Sequence, residues 1–365
     1  DCENSITIVL HEGSNLMSFS VLPEDNSVEN VLSSDNISAI AGEGEAAINT
    51  DMGWVGSLTN ILYENGYWLL LNEAGMLTLT GIPIDPDQQY ALHAGNNLIS
   101  YPISDCGSID EVLPDDVEEC IYAIAGEGVA ALSTDNGWVG SLSELCPDEG
   151  YWFVNICDEI TFTFDEPTGL SRKQVQNPSP NPYSQSSKQA FYFIEAIDNI
   201  EVGDWILAYS GDKVIGARQW QGSTIDVPAM GDDGTDYTKG YMEAGMAPTF
   251  KVQRDGELID LKGYVPAWSE NRFFIISNLT QEKTLPETFS LQRAYPNPFN
   301  PTTTISFALP KYSNVLLEVY DINGRIVSTL VDNMLKDGYH SVVWNADSYS
   351  SGVYFVKMQA GDFMS

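Results

Sequence analysis

ISAIAGEGEAAINTDMGWVGSL at 37–58 recurs as IYAIAGEGVAALSTDNGWVGSL at 121–142, with 17 of 22 positions identical. Working outward, LHEGSNLMSF (10–19) is matched by LHAGNNLISY (92–101), and Gly66-Tyr67-Trp68 by Gly150-Tyr151-Trp152. A period of about 80 residues marks a duplicated module rather than a short-period solenoid. Inside each copy, short apolar runs alternate with Gly- and Asn-bearing turns, the pattern of short strands. Ser108-Ile109-Asp110-Glu111 and Ser141-Leu142-Ser143-Glu144 have capping-box spacing, so one or two helical turns are expected as well. Residues 1–83 and 84–166 thus read as two small, mainly β modules.

Charge sets these copies apart from the rest of the chain. The 365 residues carry 52 acids against 16 Lys and Arg, a net charge of -36. Thirty acids and no Lys or Arg lie before Arg172, leaving 52 − 30 = 22 acids and all 16 bases after it. Adaptation to salt would spread acid over every domain, so the asymmetry points to a local cause. Divalent cations, which favour carboxylate oxygens, are one candidate. A cationic partner steered by the field is another, and solubility is the plain alternative. Nucleic acid is disfavoured, because phosphate contacts need Lys and Arg.

The shared aromatics have two readings. Trp54, Trp138, Tyr67 and Tyr151 are candidate binding residues, able to stack on sugar rings or peptide groups. The same side chains are also what a small domain uses to fill its core. His11 and His93 hold one repeat position, and with no second ligand at useful spacing a structural hydrogen bond is expected of them. Cys106, Cys120, Cys146 and Cys157 form no CxxC pair, which argues against zinc. In an exported protein they read as two disulfides; loop closure favours Cys106–Cys120 and Cys146–Cys157, with Cys2 left over. The two copies resemble a module of secreted bacterial proteins with a G-x-N-L-I-S start and a closing G-Y-W. That resemblance covers 6–166 and implies a non-catalytic accessory role.

PTGLSRKQVQNPSPNP (167–182) is a Pro-rich linker. Residues 183–280 follow, with apolar runs FYFIEAI, DWILAYS and RFFIISNL separated by Ser210-Gly211-Asp212, Asp233-Gly234 and Asp255-Gly256 turns. An antiparallel β-sandwich is expected. The stretch GDWILAYSGDKVIGARQW also resembles strand pairs of other secreted accessory modules. Asp232, Asp233 and Asp236 cluster around Gly234, a candidate calcium loop, although the EF-hand order is absent.

QEKTLPET (281–288) is a second linker before the final domain, 289–365. There TTTISFAL ends at Pro310, and VLLEVYD places Val315, Leu317 and Val319 on one face. Asn323-Gly324 has the chemistry of a two-residue hairpin turn; RIVSTLV, YHSVVW and GVYFVKM complete an Ig-like sandwich. Pro296, Pro298 and Pro301 belong at its edge, since they donate nothing to a ladder. The series Tyr295-Pro296-Asn297-Pro298-Phe299-Asn300-Pro301, Asp321, Gly324-Arg325, Gly338, Trp344, and Gly352-Val353-Tyr354 resembles the type IX secretion C-terminal sorting domain. That family is related in pattern to the Ig-like domain of flagellar hook-capping proteins. The resemblance implies recognition by the type IX machinery and an extracellular or outer-surface location. The family runs on to a last strand ending in Lys, whereas this chain reads GDFMS, so an unpaired sheet edge is expected.

The fold class expected is therefore mainly β: two small modules with helical turns, then two sandwiches. No run approaches the roughly 18 apolar residues of a membrane span, and no signal peptide precedes Asp1, so the chain reads as processed or as a piece of something longer. HExxH, G-x-S-x-G and P-loop motifs are missing, and no enzyme is expected. The function indicated is a secreted or surface structural or adhesive protein whose acidic modules meet a partner, a matrix, divalent ions or further copies of the chain. The rival readings are the accessory tail of a secreted hydrolase and an array of carbohydrate-binding modules.

Overall fold

The computed structural model describes residues 4–168, 179–281, 286, 288–361 and 363–365. Cys2, most of the Pro-rich linker (169–178) and most of the second linker (282–285, 287) lie outside them. The chain is mainly β and divides into two compact units, Asp1–Gln281 and Glu282–Ser365.

In the first unit, the two copies build the same five-stranded antiparallel sheet. Strands Gly13–Met17, Tyr67–Leu71, Ile37–Ala41, Ala46–Thr50 and Gly53–Gly56 lie in that order. The second copy repeats it with Gly95–Ile99, Tyr151–Asn155, Ile121–Ala125, Ala130–Thr134 and Gly137–Gly140. Each third-listed strand carries the same bulge, between Ile37 and Ala39 and between Ile121 and Ala123. The extra residue resets the alternation, so Ile37 and Ile40 both face one core, and Ile121 and Ile124 the other.

The expected helical turns are realised in part. Val28–Val31 and Ile109–Val112 follow Ser27 and Ser108, but neither serine caps an amide; the Ser108 hydroxyl donates to Glu111 Oε2 at 3.0 Å instead. The Ser141–Glu144 box makes no helix. Glu144–Leu145 is a strand paired with Gly107–Ser108, because the Ser141 amide and hydroxyl are taken by Asp226 from a distant segment. A third helical turn, Asp115–Glu118, follows Pro114.

The copies grip each other reciprocally. The Gly66 amide donates to Leu98 O and Ser100 N to Glu64 O, each at 3.1 Å; at the matching place Gly150 N faces Leu16 O and Ser18 N donates to Asp148 O. Leu16 and Leu98 meet Trp68 and Trp152 between the sheets. The glycine of each G-Y-W thus has a packing reason. A Cβ on Gly150 would stand 2.8 Å from Met17 O, and one on Gly66 would stand 2.8 Å from the Leu98 Cδ1 methyl. The seam has the logic of a two-fold homodimer within one chain.

The disulfides are Cys106–Cys146 and Cys120–Cys157, not the short-loop pairs expected. Register decides this. Gly107 pairs with Leu145, setting the Cα atoms of Cys106 and Cys146 4.2 Å apart. Ile121 pairs with Asn155, and Ile156 N donates to Cys120 O, setting Cys120 and Cys157 5.3 Å apart. Long-range pairing overrides the entropic preference for short loops.

Residues 183–281 form two packed sheets. One is Ile225–Met230, Gln189–Ile194 and Phe273–Ile276; the other is Lys213–Gln219, Trp205–Ser210, Thr249–Arg254, Glu257–Lys262 and Thr280–Gln281. Tyr192, Phe250 and Trp268 lie between them. The expectation of purely antiparallel pairing needs correction: Gln189–Ile194 and Phe273–Ile276 run parallel, since these distant segments are joined across the domain rather than by a hairpin. Asp255-Gly256 has positive φ at both residues (50° and 85°), as a two-residue hairpin turn requires.

In the second unit, the sheet Ser290–Leu291, Thr302–Leu309, Gly338–Asn345 faces the sheet Ile326–Leu335, Ser313–Tyr320, Phe355–Ala360, Phe363–Met364. Val315, Leu317 and Val319 point together into its core. The turn at Asn323-Gly324 is longer than expected, with positive φ at Gly324 only. Asp321 and Arg325 close it, the Asp321 carboxylate accepting from the Asn323 and Arg325 amides at 2.9 Å each. That side-chain turn favours a three-residue loop with glycine in its left-handed position. The edge expected to be bare is lined: Phe363–Met364 pairs back onto Phe355–Ala360.

Candidate binding surfaces

In the first unit, most side chains singled out as ligand-handling are spent internally. Tyr67 and Tyr151 are wholly buried, their hydroxyls accepting from Leu62 N and Cys146 N at 2.8 Å. Trp54 and Trp138 pack half-buried on the two cores, with indole N–H groups on Leu32 O and Glu118 Oε1. The binding reading is therefore corrected for Tyr67 and Tyr151, which are wholly buried, while Trp54 and Trp138 keep a partly exposed ring; large aromatics bring the most buried area to a small core.

His11 and His93 hold the seam. His11 donates from Nε2 to Glu127 Oε1 at 2.6 Å and from Nδ1 to Glu12 O at 2.7 Å. His93 does the same to Glu43 Oε1 at 2.7 Å and Ala94 O at 2.9 Å. The second oxygen of each glutamate accepts a backbone amide of the other copy, Leu16 N at 2.9 Å and Leu98 N at 3.0 Å. With acceptors at both ring nitrogens, the imidazolium is favoured. The hydrogen bond to Glu127 raises His11 to about 8 despite burial; His93 is raised by its bonds to Ala94 O and Glu43. They are the only side chains before Arg172 able to carry positive charge. The Gly-Glu-Gly segments are thus seam locks, a role that pattern alone did not reveal.

At the Asp232–Asp236 turn, Asp236 is exposed and the other two carboxylates are engaged by N–H and O–H donors. Asp233 Oδ1 accepts from Thr235 N, Thr235 Oγ1 and Thr238 Oγ1, and Oδ2 from Ser187 N, Ser186 Oγ and Ser14 Oγ, all within 3.3 Å. Asp232 accepts from Gly234 N and Gly240 N. Calcium needs free converging oxygens, whereas these carboxylates face donors. Among the described residues, no group of three or more His, Cys, Asp or Glu could hold a metal ion. Burial pushes the Asp233 carboxyl up, but the Thr238 and Thr235 bonds outweigh it and hold it below its ordinary value.

The outer face of the second copy's sheet is covered by residues 183–281. Phe191, Phe193 and Phe273 lie on Ala123, Ala125, Ala130 and Leu132. At the rim, the wholly buried Asp226 accepts from Ser141 and from Arg218 Nη2 at 2.8 Å, and Arg218 Nη2 also donates to Gly128 O at 2.6 Å. Gln189 bonds Gly126 O and Gly128 N.

Two clefts of about 670 and 660 Å3 meet at Glu127. The first, along the seam, is lined by Glu144, Asp148 and Glu149 beside the cationic His11. The second offers Tyr183, Trp205, Gln185, Gln221 and Arg218, aromatic faces beside amides. The Gln185 Oε1 atom is buried there without a hydrogen-bond partner.

In the second unit, the motif residues divide by role. Asp321, Gly324 and Arg325 build the turn. Phe299 and Tyr354 pack on Trp344 at 5.4 and 5.0 Å between ring centres. Pro296, Asn297, Pro298 and Gly352 are exposed, and Pro296 O accepts from Thr303.

These features define an exported β-protein ending in a sorting domain. Residues 293–364 match the family described as secretion system C-terminal sorting domain. The chain carries the type IX tail, and its location is the extracellular space or the cell surface. No curated protein matches it. Among solved structures, the Bacillus anthracis TIE protein aligns over 96% of this chain and 63% of its own at 11% identity, with a TM-score of 0.14. The chain thus spans less than two thirds of that structure. No helix among the described residues is long and apolar enough to cross a membrane.

Proposed function

We propose that the chain is a non-catalytic protein of the cell exterior that attaches to a cationic macromolecular surface through its acid-rich repeats, with the final domain as its export address. One observation carries the reading: 30 acids and no Lys or Arg in residues 1–171. Asp110, Glu111, Asp115, Asp116 and Glu119 of the second copy stand exposed along one short segment. The field of such a surface steers and holds a positive partner. The test is binding of the intact secreted protein to amine-coated against carboxylate-coated surfaces across a NaCl titration. Selective capture by the amine surface, weakening steeply with salt and on Asp115→Asn/Asp116→Asn/Glu119→Gln, is the expected result. Equal capture by both surfaces refutes it.

A second reading, glycan binding, is favoured by the Tyr183–Trp205 cleft with its unpartnered Gln185 oxygen rather than by Trp54 and Trp138. A glycan array comparing the intact protein with Trp205→Ala tests it; unchanged signals dispose of it.

A further inference from the structure

The two copies present the same outer sheet face, and among the described residues only that of the second copy is covered. Residues 84 positions apart correspond: Ala39 with Ala123, Ala41 with Ala125, Ala46 with Ala130, Val55 with Val139, and Ile48 with Leu132. In the second copy, Ala123, Ala125, Ala130 and Leu132 are sealed beneath Phe191, Phe193 and Phe273. In the first, Ile48 is 60% and Val55 58% exposed.

Single exposed apolar residues need no explanation; the retained pattern does. The copies have diverged on these strands and turns, with Glu45 for Val129, Asn49 for Ser133 and Met52 for Asn136, and on the face itself Ile48 for Leu132 and Ser38 for Tyr122. The small residues that let a partner approach remain, and so does the polar rim. Gly44 and Ser57 stand where Gly128 receives Arg218 and Ser141 is held by Asp226.

We propose that the Ile48–Val55 face of the first copy is a second docking site, and that its occupant is a separate protein domain presenting clustered aromatic side chains beside an arginine. The inference deepens the reading of an acid-rich binding protein and rests on it. Charge selects the occupant. Against 30 acids, no Lys or Arg lies within the first 171 residues, so an arginine meeting Gly44 O enters a favourable field. A second copy of this chain is a poor occupant: its own Phe191 and Phe193 are already buried, and each copy carries -36. Ser38, where the second copy has Tyr122, leaves room at the rim for a larger partner side chain.

The test places a benzophenone photo-crosslinker at position 48 of the full chain, secreted by its native producer, with a control at Val9, exposed but on another sheet. Expected is a crosslinked partner peptide that contains aromatic residues and lies in a domain bearing an arginine. Its yield should fall at least tenfold with Val55→Glu, be unaffected by Val55→Thr, and be missing from the position-9 control. Crosslinks to a second copy, yields equal to the control, or no crosslink overturn the proposal. Amine-surface binding is measured on the parent chain carrying the position-48 crosslinker. Its retention with no crosslink sinks this site alone; its absence in the parent chain sinks the broader reading.

Discussion

Raising the pH should loosen the seam between the copies, through His11. The ring gives both protons to acceptors, Glu127 Oε1 and Glu12 O, and is raised from 6.5 to about 8. Because the folded value lies above the unfolded one, the stabilisation is fully present below about pH 6.5 and is lost as pH climbs through 8. Converted directly, the shift is about 2 kcal/mol. The side chain is nearly half exposed, so solvent screening reduces this to about 1 kcal/mol, or roughly 2 °C of melting temperature for a unit of this size. His93, raised in the same direction, adds to the slope. The measurement is denaturant unfolding of the intact protein from pH 6 to 9, beside an NMR titration of the His11 ring. His11→Gln should flatten the fall in stability across this window, and His11→Gln/His93→Gln should flatten it further. A parent and double variant with the same slope, or a His11 ring titrating at or below 6.5, would refute the reasoning.

Three other expectations follow from the same packing. Non-reducing peptide mapping should recover Cys106 with Cys146 and Cys120 with Cys157; each bridge closes a loop of about 40 residues, worth about 4 kcal/mol by chain entropy, and a Cys106–Cys120 peptide would contradict the register. Gly150→Ala and Gly66→Ala should each destabilise by about 1–3 kcal/mol in thermal unfolding, because the added Cβ would stand 2.8 Å from Met17 O in one and 3.0 Å from Ile99 O in the other; no loss at either would show that the seam yields. Calcium and a chelator should leave the melting temperature equal, since Asp232 and Asp233 already face N–H and O–H donors; a calcium-dependent rise would restore the metal reading.

Strand patterning, the duplication and the sorting domain were legible in the residues because their causes are local. Alternation chose the inward Val315, Leu317 and Val319, and Asp255-Gly256 carried its own turn. Even local chemistry misled where a side chain intervened, as when Asp321 lengthened the Asn323-Gly324 turn. The remainder depended on groups far apart in the chain. Which cysteines pair followed from strand register, and the Ser141 box failed because Asp226, 85 residues on, claimed its amide. The locks between His11 and Glu127, and between His93 and Glu43, exist only because the two copies face each other. Two nearly identical stretches have identical local preferences; only their packing decides that one sheet face is covered and its twin is left to solvent.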